Sequence, residues 1–229
     1  MEQTSFKVIR TVQEGGGVFA VVRLVEYAGG EAILKDFSRS PRLFRSSFGA
    51  LLTAHETRAY RRLDGAPGVP RLIRRIGRDG LLVQCVAGVN CRDAAPNDLT
   101  QGFFDAALEL FSRVRARGVL HMDIGRNLIL GVDGRPWLVD FGSSLVLSRA
   151  LGPLRSRMTN LRKKYDERAL FKIKRRKAPH LLRESELERS AATLPLERWV
   201  TVAEKMSKVT VGLIAGAFDA RARRRDRQG

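Results

Sequence analysis

The stretch HMDIGRNLILGVDGRPWLVDFG, residues 121 to 142, holds two carboxylates and an amide at an informative spacing. Phosphoryl transfer needs little covalent chemistry. It needs a carboxylate beside the attacking hydroxyl, oxygen ligands for Mg2+ and cations on the phosphates. Asp123, in a loop after a helix, could accept or orient a hydroxyl proton. Asn127, four residues later, offers a neutral oxygen to a metal, and Asp140 offers a charged one. Two apolar runs flank Asp133-Gly134, a hairpin signal. Such a hairpin would bring its ends together, so that Asn127 and Asp140 could share one Mg2+. His121 reads as a structural hydrogen-bonding residue rather than a base.

A His-x-Asp or an Asp-Phe-Gly alone is commonplace. Their weight comes from a matching set upstream. Lys35, in AILKDF, could reach α- and β-phosphates from the end of a strand, and Glu56, in AHETRAY, could pair with it from a helix. Gly15, Gly16 and Gly17, in the EGGG that joins two strands, would let backbone N–H groups approach phosphates.

The elements that must position these residues are legible in the same way. FKVIRTV, VFAVVRLVEY and AILKDF are rich in Val, Ile and Phe and are separated by EGGG and AGGE, which predicts a three-strand antiparallel meander. Residues 47–63 put Leu51, Leu52, Ala59 and Leu63 near helical spacing and end at Asp64-Gly65, which predicts a helix. RLIRRIG and LLVQCV predict two more strands, completing β-β-β-α-β-β by about residue 87. AGVNCRDAAPND reads as a polar linker. LTQGFFDAALELFSRVRARG then spaces Phe104, Leu108, Phe111 and Val114 along one helical face and stops at Gly118. From residue 157 onward the chain reads as helical and basic.

Taken in order, a Gly-rich loop, a strand-three Lys, a helix Glu, a loop Asp and Asn, and an Asp-Phe-Gly make up the protein-kinase set. The chain resembles a compact bacterial kinase-like phosphotransferase, in the style of lipopolysaccharide core sugar kinases and RIO-type kinases. The likeness covers residues 6–145, with an echo in YDERALFKIKRRKAP. It implies an α+β, two-lobed protein-kinase-like fold: a β-rich N-lobe over residues 1–87, a mainly helical C-lobe over 88–190, and a C-terminal helix and basic tail over 191–229. It implies ATP and Mg2+ as cofactors, with Gly15, Gly16, Gly17 and Lys35 on the phosphates. Gln84 and Val86 then belong to a hinge that receives adenine. Lys35, Glu56 and Asp123 are the catalytic set, and Asn127 and Asp140 the metal ligands.

The chain departs from that pattern in three places. In most kinases the catalytic Asp and the metal-binding Asn are five residues apart, whereas Asp123 and Asn127 are four apart. Gly125 stands where many protein kinases carry a Lys, with Arg126 next to it. No Ala-Pro-Glu follows Gly142, so a typical activation segment is not expected. The last departure favours a sugar or glycolipid acceptor over a peptide, although RIO-type enzymes, which act on protein Ser/Thr, also lack that part. A catalytically silent kinase-like binding module is the remaining alternative, against which the retention of all five polar positions speaks.

Charge bears on partners. The chain of 229 residues has a net charge of +18, and residues 149–229 hold 22 Lys and Arg against 9 Asp and Glu, which favours an anionic partner. The run Lys172 to Lys177 could cradle a phosphorylated glycolipid or RNA. An aromatic content of 7% offers little base stacking, so nucleic acid ranks second. Residues 196–218 place Trp199, Val202, Met206, Val209, Leu213 and Phe218 near one helical face, suited to docking on the fold or to an anionic membrane surface. Cys85 and Cys91 form no metal-type pair. With no signal-peptide pattern and no long apolar run, the expected location is the cytoplasm, with peripheral contact at the inner face of the cytoplasmic membrane as the alternative.

Overall fold

The computed structural model describes residues 6–15 and 19–191. Gly16 and Gly17, the amphipathic 196–218 segment and the basic tail lie outside them. The fold is α+β: a five-stranded antiparallel sheet first, helices after.

Strands β1 (Lys7–Gln13), β2 (Val21–Tyr27) and β3 (Gly30–Asp36) form the expected meander. Side chains alternate across a strand. In β3, Ala32 and Leu34 accordingly bury against Val25 and Leu82, while Ile33 and Lys35 face the other way. A short α1 (Arg42–Phe44) and one π turn, Arg45–Gly49, lead into α2 (Ala50–Arg62). Strands β4 (Leu72–Ile76) and β5 (Gly80–Gln84) complete the sheet in the order β1-β2-β3-β5-β4.

The buried face of α2 corrects the sequence reading. Ala59 and Leu63 are buried, but Leu51 and Leu52 are 65% and 39% exposed, and the helix turns Thr53, Glu56, Thr57 and Tyr60 inward beside Ala59. A polar face turned inward needs partners, and Glu56 finds one in Lys35.

The linker reading of AGVNCRDAAPND is also corrected, because β6 (Gly88–Asn90) pairs with a later strand. Helix α3 (Gln101–Ala116) is capped by Thr100, whose hydroxyl accepts from Phe103 N at 3.2 Å. It ends where Gly118 takes a φ of +75° and donates its N–H to Arg115 O. Phe103, Phe104, Ala107, Leu110, Phe111 and Val114 are buried, while Leu108 is partly so.

The stretch that holds Asp123, Asn127 and Asp140 runs through β7 (Val119–Leu120), the turn α4 (Ile124–Asn127), the hairpin β8 (Leu128–Gly131) and β9 (Pro136–Leu138), then β10 (Leu145–Val146). Strand β8 lies between β6 and β9, and β7 pairs with β10. Helix α5 (Pro153–Lys177) packs on α3 and α4, and α6 (Glu184–Ala191) packs on α5.

One continuous apolar core joins these parts, running from Tyr60 and Leu63 through Leu81 to Phe104, Phe111, Phe141 and Leu170. Two buried ion groups pin its far side. Asp166 accepts from Arg115 and from Arg162, each at 2.6 Å, which ties α3 to α5. Lys174, fully buried, reaches Glu186 at 2.7 Å and lies over the Phe104 ring. Among the described residues no helix is long and apolar enough to cross a membrane. Cys85 and Cys91 are both free thiols.

Candidate active site

Lys35, Glu56 and Asp140 come from β3, α2 and the end of the hairpin and converge on one point. Lys35 Nζ lies 3.0 Å from Glu56 Oε2 and 2.6 Å from Asp140 Oδ1. Burial disfavours the Lys35 ammonium, but the charges of Glu56 and Asp140 outweigh it and hold its pKa above the ordinary lysine range. Burial pushes the Glu56 carboxyl up, with Lys35 pulling against it. Asp140 is opposite in outcome: burial works against its charge, but Lys35 and the Gly142 N–H hold its carboxyl below the usual range.

Asp140 has a φ of +58°, in the left-handed region that costs a residue with a Cβ about 1 kcal/mol or more. That backbone turn is stabilised by the Asp140 Oδ1 accepting from Gly142 N at 3.1 Å. Gly142 itself is crowded: a Cβ there would sit 3.2 Å from Lys35 Nζ and 3.3 Å from Glu56 Oε2. Phe141 anchors the turn in the core, edge-on to Tyr60 and to His121.

Asp123 joins this group through His121. The buried imidazole takes the Asp123 N–H on Nδ1 at 3.2 Å and lies 3.0 Å from Val139 O through Nε2. A neutral ring with its proton on Nε2 satisfies both contacts. Burial accordingly holds the His121 pKa below the ordinary range. The Asn127 side-chain amide Nδ2 donates to Asp123 O at 2.8 Å, and the Asn127 backbone carbonyl accepts from Val139 N at 3.0 Å. The hairpin therefore does bring Asn127 beside the residue that precedes Asp140. The short α4 turn, Ile124–Asn127, carries the chain from Asp123 to Asn127.

Next to Lys35 a cavity of about 300 Å3 is walled by Val22, Ile33, Leu81, Val83, Ile129 and Val139. Lys35, Glu56 and Asp140 make its polar end, and Gln84 and Val86 also line it. Cys85, between Gln84 and Val86, lines it too, and so do Tyr60 and Pro70, a contribution that no motif signals. Gly15 has a φ of +64°, and a Cβ there would strike Val21 N and Ala20 O at 2.5 and 2.6 Å, so only glycine fits this approach of the β1–β2 loop to its own strand.

Among the described residues no three His, Cys, Asp or Glu groups converge. Mg2+ does not require such a cluster; one or two protein oxygens with phosphate and water oxygens suffice. The Asp140 Oδ1 takes the bonds from Lys35 and Gly142, and the Asn127 amide nitrogen is engaged, so Asp140 Oδ2 and Asn127 Oδ1 are the oxygens suited to a metal. No protein-family model matches the chain, and no curated protein matches it.

Proposed function

We propose that the chain is an ATP-dependent phosphotransferase with a two-lobed, protein-kinase-like arrangement, acting with Mg2+ on an alcohol. The observation that carries this reading is the three-way contact of Lys35, Glu56 and Asp140 at the polar end of an otherwise apolar cavity. The cavity suits a planar base with its phosphates drawn towards Lys35. Gln84 and Val86 would meet the base, Gly15, Gly16 and Gly17 the phosphates, and Asn127 and Asp140 the metal. Glu56 orients Lys35. Asp123, fixed by His121 and by Asn127, would take the proton of the attacking hydroxyl.

The preferred acceptor is a sugar of the lipopolysaccharide core or a similar membrane-linked glycan, met at the cytoplasmic face. Support comes from the short run between Gly142 and α5, which leaves no room for a typical peptide-docking segment, and from the basic character of α5. Incubation with γ-labelled ATP and separated glycan, lipid and protein fractions tests this. Label in glycan or glycolipid supports the reading. Label only in protein would replace it with an atypical, RIO-like Ser/Thr kinase, and label nowhere would leave a silent binding module.

A further inference from the structure

A second cleft, of about 320 Å3, opens between the α4 turn and α5. Its lining includes Arg92, Lys172, Arg176 and Lys177 and, among the described residues, no carboxylate. Lys172 and Arg176 are four residues apart and so project from one face of α5. Two of the cations are held in place by carbonyls, which leave their charge intact: Arg92 Nε donates to Gly125 O at 2.7 Å and Lys177 Nζ to Ala94 O at 2.9 Å. Burial first, and then the neighbouring Arg168 and Arg175, pull the Lys172 pKa down. Helix α5 as a whole holds eleven Lys and Arg against two acids, and of those acids Asp166 is taken up by Arg115 and Arg162.

The position of the cleft gives it meaning. Gly125 lines it, two residues from Asp123, and a Cβ there would meet nothing nearer than Arg92 Nη2 at 3.5 Å. A lysine at this place would reach into the cleft; glycine keeps it open. Arg126 Nε lies 3.7 Å from Asp123 Oδ2 on the same turn. The volume suits a small ligand, and among the described residues no aromatic lines it for base stacking, which disfavours single-stranded nucleic acid.

We propose that this cleft binds a phosphate group already present on the acceptor, making the acceptor a phosphomonoester that also carries a free hydroxyl, such as a phosphorylated sugar or glycolipid. This rests on the phosphotransferase reading. The acceptor hydroxyl oxygen would form a bond to the γ-phosphorus as the bond from that phosphorus to the β–γ bridging oxygen breaks. ADP leaves with the electron pair, the hydroxyl proton passes to Asp123, and the phosphate in the cleft is unchanged.

An NMR titration of the 15N-labelled full chain tests it, with glucose 6-phosphate as probe and glucose as control. Saturable shifts at Gly125, Ala169 and Ile173 are expected with the phosphorylated sugar and none with glucose. Each charged hydrogen bond to phosphate is worth on the order of tenfold in affinity, so Lys172→Ser/Arg176→Ser should weaken binding at least about tenfold. Phosphatidylcholine vesicles with and without phosphatidic acid separate the sources: binding only to phosphatidic acid vesicles, lost in the double variant, places the phosphomonoester on a lipid. Equal responses to glucose and glucose 6-phosphate, or unchanged affinity in the double variant, overturn the proposal. So does a short RNA that shifts the same amides far more tightly than either phosphomonoester. MgADP, titrated into the same samples, reports on the Lys35 cavity. If it fails to bind while the sugar phosphate binds, the kinase reading falls and the anion cleft stands.

Discussion

Lys35 and Asp140, 105 residues apart in the chain, meet at 2.6 Å, and Glu56 holds the other side of the same ammonium. The contact joins β3 to the end of the hairpin at the head of the cavity. Because burial pushes the Glu56 carboxyl up, its ionised form depends on Lys35. In Lys35→Met that support is gone. A carboxyl whose folded pKa is raised favours folding at low pH, and this stability is lost as pH rises through the folded pKa. The urea midpoint of Lys35→Met, compared with wild type, should therefore fall between pH 5 and pH 8. A constant difference across that range would contradict the coupling.

Among the described residues Arg126, with Nε 3.7 Å from Asp123 Oδ2, is the cation that lies within ion-pair reach of Asp123. A carboxylate placed this way is suited to a proton. Asp123→Asn keeps the shape and should lower kcat by about 100-fold to 10,000-fold while leaving the affinity for MgATP near wild type. Nucleotide binding by calorimetry and turnover with labelled ATP measure the two quantities separately.

His121 is buried neutral between Asp123 and Val139, and Asp140 and Arg162 also act on it. Protonation at Nδ1 would place a donor against the Asp123 N–H. Its folded pKa is lowered, so the unfolded chain binds the proton first as pH falls, and stability drops below about pH 6.5 by up to about 1.4 kcal/mol per pH unit. Urea unfolding from pH 7.5 to 5.5 should show this slope in the wild type, and a smaller one in His121→Gln.

Asp166 sits buried between Arg115 and Arg162. Removing one partner of a buried charge group strands the others, at a cost of about 3–5 kcal/mol. Asp166→Ala should lower the midpoint of chemical unfolding accordingly. By contrast Leu51→Ser, on the exposed side of α2, should change it by less than about 0.5 kcal/mol.

Much of this was legible in residue types and spacing. The β1–β3 meander announced itself through Val and Ile runs broken by glycines, and Lys35, Glu56 and Asp140 were picked out before any distance joined them. The inward face of α2 was legible at Glu56, Ala59 and Leu63 but not elsewhere. Apolar spacing singled out Leu51 and Leu52, yet the helix turns Thr53, Glu56 and Thr57 inward because Lys35 awaits Glu56 there. Strand β6 escaped notice because only Val89 among its three residues is a strand former, and that side chain is exposed. The Arg115–Asp166 pair spans 51 residues with no local signature. The basic run on α5 was visible as charge, but only packing against the α4 turn reveals which cations share a cleft with Gly125.

The central claim is that Lys35, Glu56 and Asp140 form the phosphate and metal end of a nucleotide site served by Asp123. Single-turnover transfer or hydrolysis of γ-labelled ATP, with and without Mg2+, by wild type, Asp123→Ala and Asp140→Ala measures it most directly. The account predicts Mg2+-dependent turnover in the wild type, loss of turnover with MgATP binding retained in Asp123→Ala, and loss of Mg2+-dependent binding in Asp140→Ala. Three proteins that behave alike, none binding MgATP, would contradict it.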